Sequence, residues 1–223
     1  MKTILSSALT LLQAAAALFL LFAGWGLRDL PALFANPARA MFFLFLVAGA
    51  ALAIALRVEI QPIRKGSVPA GNQNLQLIIL FLLSLFLLWF LPYADRHALL
   101  SFHSQLARYA GVLLCAMGAL IRIFAMRRLG THFSAYVTLQ PAHRLVQEGI
   151  YSRIRHPLYL SLLLLPSGIA MVFANWLAAP IFVLSAIFIA DRIRQEESLL
   201  ASQFGAQFLS YAHRTKLLLP GIF

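Results

Sequence analysis

Leu158–Phe173 reads LYLSLLLLPSGIAMVF, and after Ala174-Asn175-Trp176 the chain resumes as LAAPIFVLSAIFIA over Leu177–Ala190. The charged run Asp191-Arg192-Ile193-Arg194-Gln195-Glu196-Glu197 follows directly. Two apolar stretches so closely joined predict one tight helical hairpin, tilted or not fully spanning because both are short. Backbone amides inside lipid must bond within their own segment, so helices rather than open strands are expected. Longer runs, near the roughly 20 residues that cross a bilayer, lie at Ala8–Leu27, Ala40–Leu56, Leu75–Leu91 and Tyr109–Met126. The set predicts an all-α polytopic integral membrane bundle of about six transmembrane helices. After Glu197, apolar residues at Leu200, Phe204, Phe208 and Tyr211 share one face. That spacing predicts a C-terminal amphipathic helix along the interface, weakened at Gly205 and ended by Pro220.

Composition agrees. Hydrophobic residues make up 61% of the 223, above the ~45–50% of ordinary soluble domains. The net charge is +11, and its placement carries information. With alternating spans, Arg57, Arg64, Lys65, Arg127, Arg128, Arg153, Arg155 and most other cations share a side with both termini. Arg28, Arg39, Arg96 and Arg108 fall on the other, while Arg122 lies inside the fourth span. The positive-inside rule then predicts cytoplasmic termini, in a bacterial inner membrane or a eukaryotic endoplasmic reticulum. Charges that border spans, without a binding motif, point to lipid headgroups rather than nucleic acid. Lys2 and Ile4–Leu21 also have the look of a signal peptide, but the long apolar stretch without a polar cleavage region favours a retained span. His97 and His103 have no acidic or cysteine partner at metal spacing, and Cys115 stands alone as a small core residue. No metal site is expected.

The segment before the hairpin, Gln140–Tyr159, reads QPAHRLVQEGIYSRIRHPLY. A membrane protein keeps ionisable groups at span edges for anchoring or for chemistry. Here the hairpin returns the chain so that this segment faces Asp191–Glu197, joining both signs of charge with two histidines and two tyrosines. That makes the cluster the candidate active site.

The run His143-Arg144-Leu145-Val146, then Gly149-Ile150-Tyr151, then Arg155-His156-Pro157-Leu158-Tyr159 resembles the isoprenylcysteine carboxyl methyltransferase family. So do Arg192-x-x-x-Glu196-Glu197, Phe204-Gly205, Tyr211 and a closing Leu-Pro. The likeness covers roughly residues 129–220, and the wider superfamily includes phospholipid N-methyltransferases. It divides the chain into an N-terminal three-span region, 1–105, of unassigned role and a methyltransferase core, 106–223. The resemblance implies S-adenosyl-L-methionine as cofactor, bound by Gln140, His143, Arg144, Leu145, Val146, Tyr151, His156, Pro157, Leu158, Tyr159 and Glu196. It assigns Arg192 to substrate and transition-state positioning. Ser161 replaces a glycine common in the family, and Thr215-Lys216 replaces a Val-Pro. Neither change removes an ionisable motif residue, so both bear on substrate more than on reaction type.

The residue chemistry fits methyl transfer to a lipidic or lipid-tailed small molecule. A carboxylate such as Glu196 can pair with the cofactor's ammonium or its ribose hydroxyls. Tyr151, Tyr159 and His156 can stack on adenine or hydrogen-bond it, and aromatic faces favour a sulfonium. Arg192 can orient a carboxylate acceptor without a general base, whereas an amine acceptor would call on His156 or Glu197 to take its proton. A nicotinamide-dependent membrane reductase of the sterol type shares Arg-His-Pro-x-Tyr, but those relatives tend to carry an acidic residue soon after the motif tyrosine. A transporter or scaffold predicts charges within several spans, whereas only Arg122 intrudes.

Overall fold

A computed structural model describes residues 2–56, 58, 73–130 and 145–218. Helices α1 (Lys2–Trp25), α2 (Leu30–Ala35), α3 (Pro37–Ala55), α4 (Gln73–Arg96) and α5 (Gln105–Leu129) precede the charged segment. Helices α6 (Pro157–Val172), α7 (Ala178–Phe204) and α8 (Ala206–Arg214) follow it. Four stretches are long and apolar enough to cross a bilayer: Ser7–Trp25, Pro37–Ala55, Leu77–Arg96 and Gln105–Leu129. Helix α6 is apolar but shorter, and α7 is apolar only until Asp191. The chain is thus an integral, multi-pass membrane protein, all-helical among its described residues.

The amphipathic tail differs from its sequence reading. Helix α7 runs unbroken through the charged cluster and ends at Gly205, whose φ of +49° suits a residue without a side chain. Leu200 and Phe204 therefore belong to α7, whereas Phe208 and Tyr211 sit on α8 and turn inward to become buried. Gly205 breaks the helix in two. Pro220 lies outside the described residues.

Helices α5 and α6 form the most extensive pair in the bundle. They meet through small residues, because bare backbone lets helices approach where lipid offers no hydrophobic drive. A Cβ on Gly111 would stand 2.7 Å from the Gly168 carbonyl oxygen, and one on Gly168 would stand 2.8 Å from Cys115 Sγ. Cys115 is buried against that contact. Helix α1 packs along α4, and α3 lies against α5. A core of Leu21, Leu33, Phe42, Phe43, Leu91, Val172 and Phe173 joins α1, α2, α3, α4 and α6. The hairpin turn is pinned by buried Asn175, which donates to the Leu99 carbonyl at 3.0 Å and accepts from the Leu177 amide at 3.0 Å.

The end of the bundle remote from His156 is fastened by charge. Asp95, with its side chain 4% exposed, accepts from Arg39 at 2.9 Å and from Arg108 at 2.7 and 2.8 Å. Arg108 also donates to the Val172 carbonyl, and Arg39 to the Leu33 and Ala32 carbonyls. Arg39 further lies over the Trp25 ring, 4.4 Å from its centroid. One carboxylate therefore ties α4 to α3 and α5, and its arginines reach on to α1, α2 and α6. Of the cations assigned to this side from sequence, Arg39, Arg96 and Arg108 are structural ties as well as interface markers.

Helix α4 packs on α1 and touches α6 only lightly, while α7 packs on α6 and α8. A cleft therefore remains between α4 and α7. Replacing Asp95 by Asn would leave two buried guanidiniums without a counter-charge, a loss of about 3–5 kcal/mol for a buried pair. We expect a large drop in detergent melting temperature; a melting curve matching that of the parent protein would show the triad to be dispensable.

Candidate active site

The candidate site is built on a short backbone pairing. Gly149, at φ +63°, opens a 3-10 turn over Gly149–Ser152 that delivers Tyr151 inward. The next residues pair with the segment after α8. The Arg155 amide donates to the Lys216 carbonyl at 2.8 Å, the His156 amide to Leu217 at 3.1 Å, and the Lys216 amide to Arg153 at 3.0 Å. His156 then caps α6 with Pro157 as its first residue, where a missing amide proton costs nothing. The Tyr211 hydroxyl donates to the Tyr151 carbonyl at 2.8 Å, tying α8 to the same turn.

Glu197 locks this frame to α7. Its Oε1 accepts from Arg155 Nε at 2.7 Å and lies 3.1 Å from His156 Nε2. Arg155 also donates to the Ala212 and Thr215 carbonyls. Burial opposes ionisation of Glu197, but the hydrogen bonds from His156 and Arg155 outweigh it and hold the carboxyl below its usual value. A carboxylate so held is a weak proton acceptor. Glu196, one residue earlier, is more open: its side chain is 36% exposed, with Oε2 4.0 Å from His156 Nδ1.

A cavity of about 910 Å³ begins at this frame and runs between α4, α6 and α7. Its polar end gathers Leu145, Val146, Tyr151, His156, Pro157, Leu158, Tyr159, Arg192 and Glu196. Every one of these was named from the sequence. Gln140, His143 and Arg144 lie outside the described residues. Arg192 is buried, with Nε 3.3 Å from the Tyr159 hydroxyl and its guanidinium over the Phe188 ring. Arg192 and Glu196 stand one turn apart on the same helical face, as their spacing requires. The Tyr151 hydroxyl is buried and has no hydrogen-bond partner among the described residues. Burial first, then Glu196 and Tyr211, raise its pKa well above the ordinary value, so it keeps its proton and remains a donor. Burial likewise pushes Tyr211 up to about 12.

Three side chains of the site escaped the sequence reading of candidates. Tyr211 lines the cavity and braces Tyr151, although its spacing suggested only an interfacial face. Arg155 borders the cavity while holding Glu197. Arg122, on α5, also reaches the cavity, and among the described residues no salt bridge pairs it with a carboxylate. Its signal was available, since an ionisable residue within a span is a functional hypothesis by default.

Residues 111–202 match the profile of the isoprenylcysteine carboxyl methyltransferase (ICMT) family. The chain is 34% identical over 125 residues to the protein-S-isoprenylcysteine O-methyltransferase of Saccharomyces cerevisiae, covering 55% of this chain and 52% of that one. It is 31% identical over 115 residues to the enzyme of that name from Tribolium castaneum, covering 50% and 41%. It is 33% identical over 107 residues to protein-S-isoprenylcysteine O-methyltransferase B of Arabidopsis thaliana, covering 47% and 54%. The chain thus spans about half the length of the curated relatives it matches. A solved structure of the eukaryotic intramembrane Ras methyltransferase ICMT shares the fold, with a TM-score of 0.54 and 22% identity over 84% of this chain and 69% of that one. The resemblance read from the motifs is borne out, and the relatives it leads to are named as methyltransferases.

The frame has a pH signature. The folded pKa of Glu197 lies below its unfolded value, so its contribution is full above about pH 4.3 and fades as pH falls through the folded value. Glu197→Gln should lower the melting temperature at neutral pH and flatten the acid dependence below about pH 4.3. Parallel acid melting profiles for the two proteins would rule the carboxylate out as the lock.

Proposed function

We propose that this chain, whose residues 111–202 carry the ICMT family pattern, is an S-adenosyl-L-methionine-dependent methyltransferase for the carboxylate of a lipid-tailed acceptor. The carrying observation is one cavity with two chemistries. Its head holds a guanidinium, a carboxylate and aromatic hydroxyls, and its body is apolar and flanked by the cleft between α4 and α7. A water-soluble cofactor suits the first, and a lipid tail entering sideways suits the second.

The residues present fit the cofactor. The Tyr151 hydroxyl, without a hydrogen-bond partner among the described residues, lines the cavity, and Glu196, which also touches Tyr159 and stands 4.0 Å from His156 Nδ1, faces the cavity where an ammonium or ribose would meet it, while Glu197 is occupied by Arg155 and His156. Leu145 and Val146 line the same cavity, and their backbone groups would meet adenine, with Gln140, His143 and Arg144 proposed to complete that wall. S-adenosylmethionine supplies an electrophilic methyl group on a sulfonium that is already a good leaving group. The protein's part is alignment, proximity and exclusion of water, which supply on the order of 7–11 kcal/mol. Arg192 orients the acceptor carboxylate through its planar fork, and Arg122 offers a second cation on the cavity wall. A carboxylate needs no base. Because Glu197 is held ionised by two partners, the geometry favours O-methylation over the N-methylation of an amine.

Residues 106–223 make the methyltransferase core on this reading, and α4 of the 1–105 region contributes a wall of the acceptor cavity. The cation distribution supports a cytoplasmic face for the cofactor head and both termini.

Calorimetry in detergent should detect S-adenosylhomocysteine binding, and Glu196→Gln should weaken it about tenfold, the cost of one charge-assisted contact. Binding of a nicotinamide cofactor with none of S-adenosylhomocysteine would turn the assignment to a reductase.

Arg192→Ala should nearly abolish single-turnover methylation of a prenylated cysteine while changing S-adenosylhomocysteine affinity by no more than about threefold, because its contact is made with acceptor and transition state. Lysine should rescue in part. Near-normal turnover of Arg192→Ala would return this residue to a packing role.

A further inference from the structure

Several side chains at the polar head of the cavity are hidden from water: His156 is 4% exposed, and Tyr151 and Arg192 are 6% exposed. A cofactor of nucleoside size that is to meet these groups needs part of the wall to move aside. Helices α5, α6 and α7 line the head as members of the bundle. Helix α8 lines it through buried Phe208 and Tyr211, yet among the helices it packs appreciably on α7 alone. Its opposite face carries Gln207, Ser210, His213 and Arg214, all exposed, with Leu209 the one large apolar residue among them. That face suits water, so α8 is a cover between the head and the aqueous side.

How α8 is joined decides what can move. Gly205 separates α7 from α8 at φ +49°, and a Cβ placed there would meet nothing within 4 Å. Gly149 has φ +63° but is wedged against Arg128, whose Nε would stand 2.7 Å from its Cβ. Both glycines bend the chain, and Gly205 has room to change its bend. A joint of this kind, at the end of an element, can absorb the φ/ψ change of a hinge. Beyond α8, the Lys216 and Leu217 carbonyls accept from the Arg155 and His156 amides at 2.8 and 3.1 Å, a second anchor made of backbone. Between the anchors, side chains fasten α8. The Tyr211 hydroxyl donates to the Tyr151 carbonyl at 2.8 Å, Arg155 to the Ala212 carbonyl at 2.8 Å, and Arg214 to Gln147 Oε1 at 3.2 Å.

We propose that α8 is a strap over the cofactor head. It pivots between Gly205 and the Lys216 pairing, lifts Phe208 and Tyr211 out of the wall to admit or release cofactor, and is latched by the bond from Tyr211 to Tyr151. The inference rests on the reading of the head as an S-adenosylmethionine site. Closure brings Tyr211 against the backbone that carries Tyr151, so one movement excludes water and sets the Tyr151 hydroxyl. Few bonds are exchanged for water when the strap lifts. The bundle stays as it is, because Glu197 holds Arg155 and His156 whether α8 is down or up.

The test uses the full chain in detergent and S-adenosylhomocysteine as the probe, with association and release timed by rapid mixing. Tyr211→Phe keeps the ring and removes the latch hydroxyl. Both rates should rise by about three- to tenfold, the worth of one hydrogen bond, while affinity changes by less than about threefold. Loss of an ordinary binding contact would raise release alone, and that result overturns the strap. Gln147→Cys combined with Arg214→Cys lets a short bismaleimide clamp α8, since the one native cysteine, Cys115, is buried. Clamping should all but stop association and release together; parent rates in a fully clamped sample overturn the proposal. Hydrogen exchange without ligand gives an independent reading. The α8 amides should exchange far faster than those of α6, and faster again in Tyr211→Phe, whereas equal protection of the two helices overturns the strap. A protein that binds no S-adenosylhomocysteine while α8 exchanges in this way upholds the strap and overturns the cofactor reading instead.

Discussion

Glu197 is the group on which the site depends. It accepts from Arg155 and lies against His156, and through Arg155 it reaches the carbonyls of Ala212 and Thr215. Four pieces of chain meet there: the segment entering α6, α7, α8, and the turn after α8. Fully exposed, such a contact would be one surface ion pair of small value. Partly buried and hydrogen-bonded on several sides, it sets where the backbone of Arg153–His156 can lie. Tyr151, His156 and Tyr159 inherit their positions from that backbone.

The same logic operates at the other end with the signs reversed in number. There one carboxylate, Asp95, holds two arginines, and it joins α4 to the helices that carry the site. Between these two polar fastenings the helices are held by close backbone contact, chiefly Gly111 against Gly168, and by aromatic rings from α1, α2, α3 and α6. Helix α4 takes part in the remote fastening and in packing with α1, yet only brushes α6. The cleft beside α7 follows from that unequal attachment.

The adjacent pair Glu196-Glu197 illustrates how a fold divides labour between like residues. Both carry the same charge and sit on the same helix. One turns to Arg155 and is consumed by structure, and the other faces the cavity. Neighbours on a helix point about 100° apart, so His156 meets Glu197 closely through Nε2 and Glu196 only at 4.0 Å through Nδ1. The family pattern singled out Glu196 for the cofactor, and the geometry supplies a reason for Glu197 to serve otherwise.

Much of this was legible in the chain itself. Apolar run length determined that the protein is helical and crosses a membrane, because lipid leaves no other outlet for backbone polarity. The order of Arg155-His156-Pro157-Leu158-Tyr159, the hairpin and Arg192-x-x-x-Glu196 determined which residues gather, since a hairpin returns the chain to its starting end. Tertiary structure decided the rest. That Gly205 splits the tail, that Tyr211 braces Tyr151, that Arg122 faces the cavity and that Asp95 pairs with Arg39 and Arg108 all depend on helix rotation and neighbour choice. Periodicity shows that a helix has a face but not which neighbour it meets. In a span apolar on every side the pattern is silent even on the face, and only packing settles it.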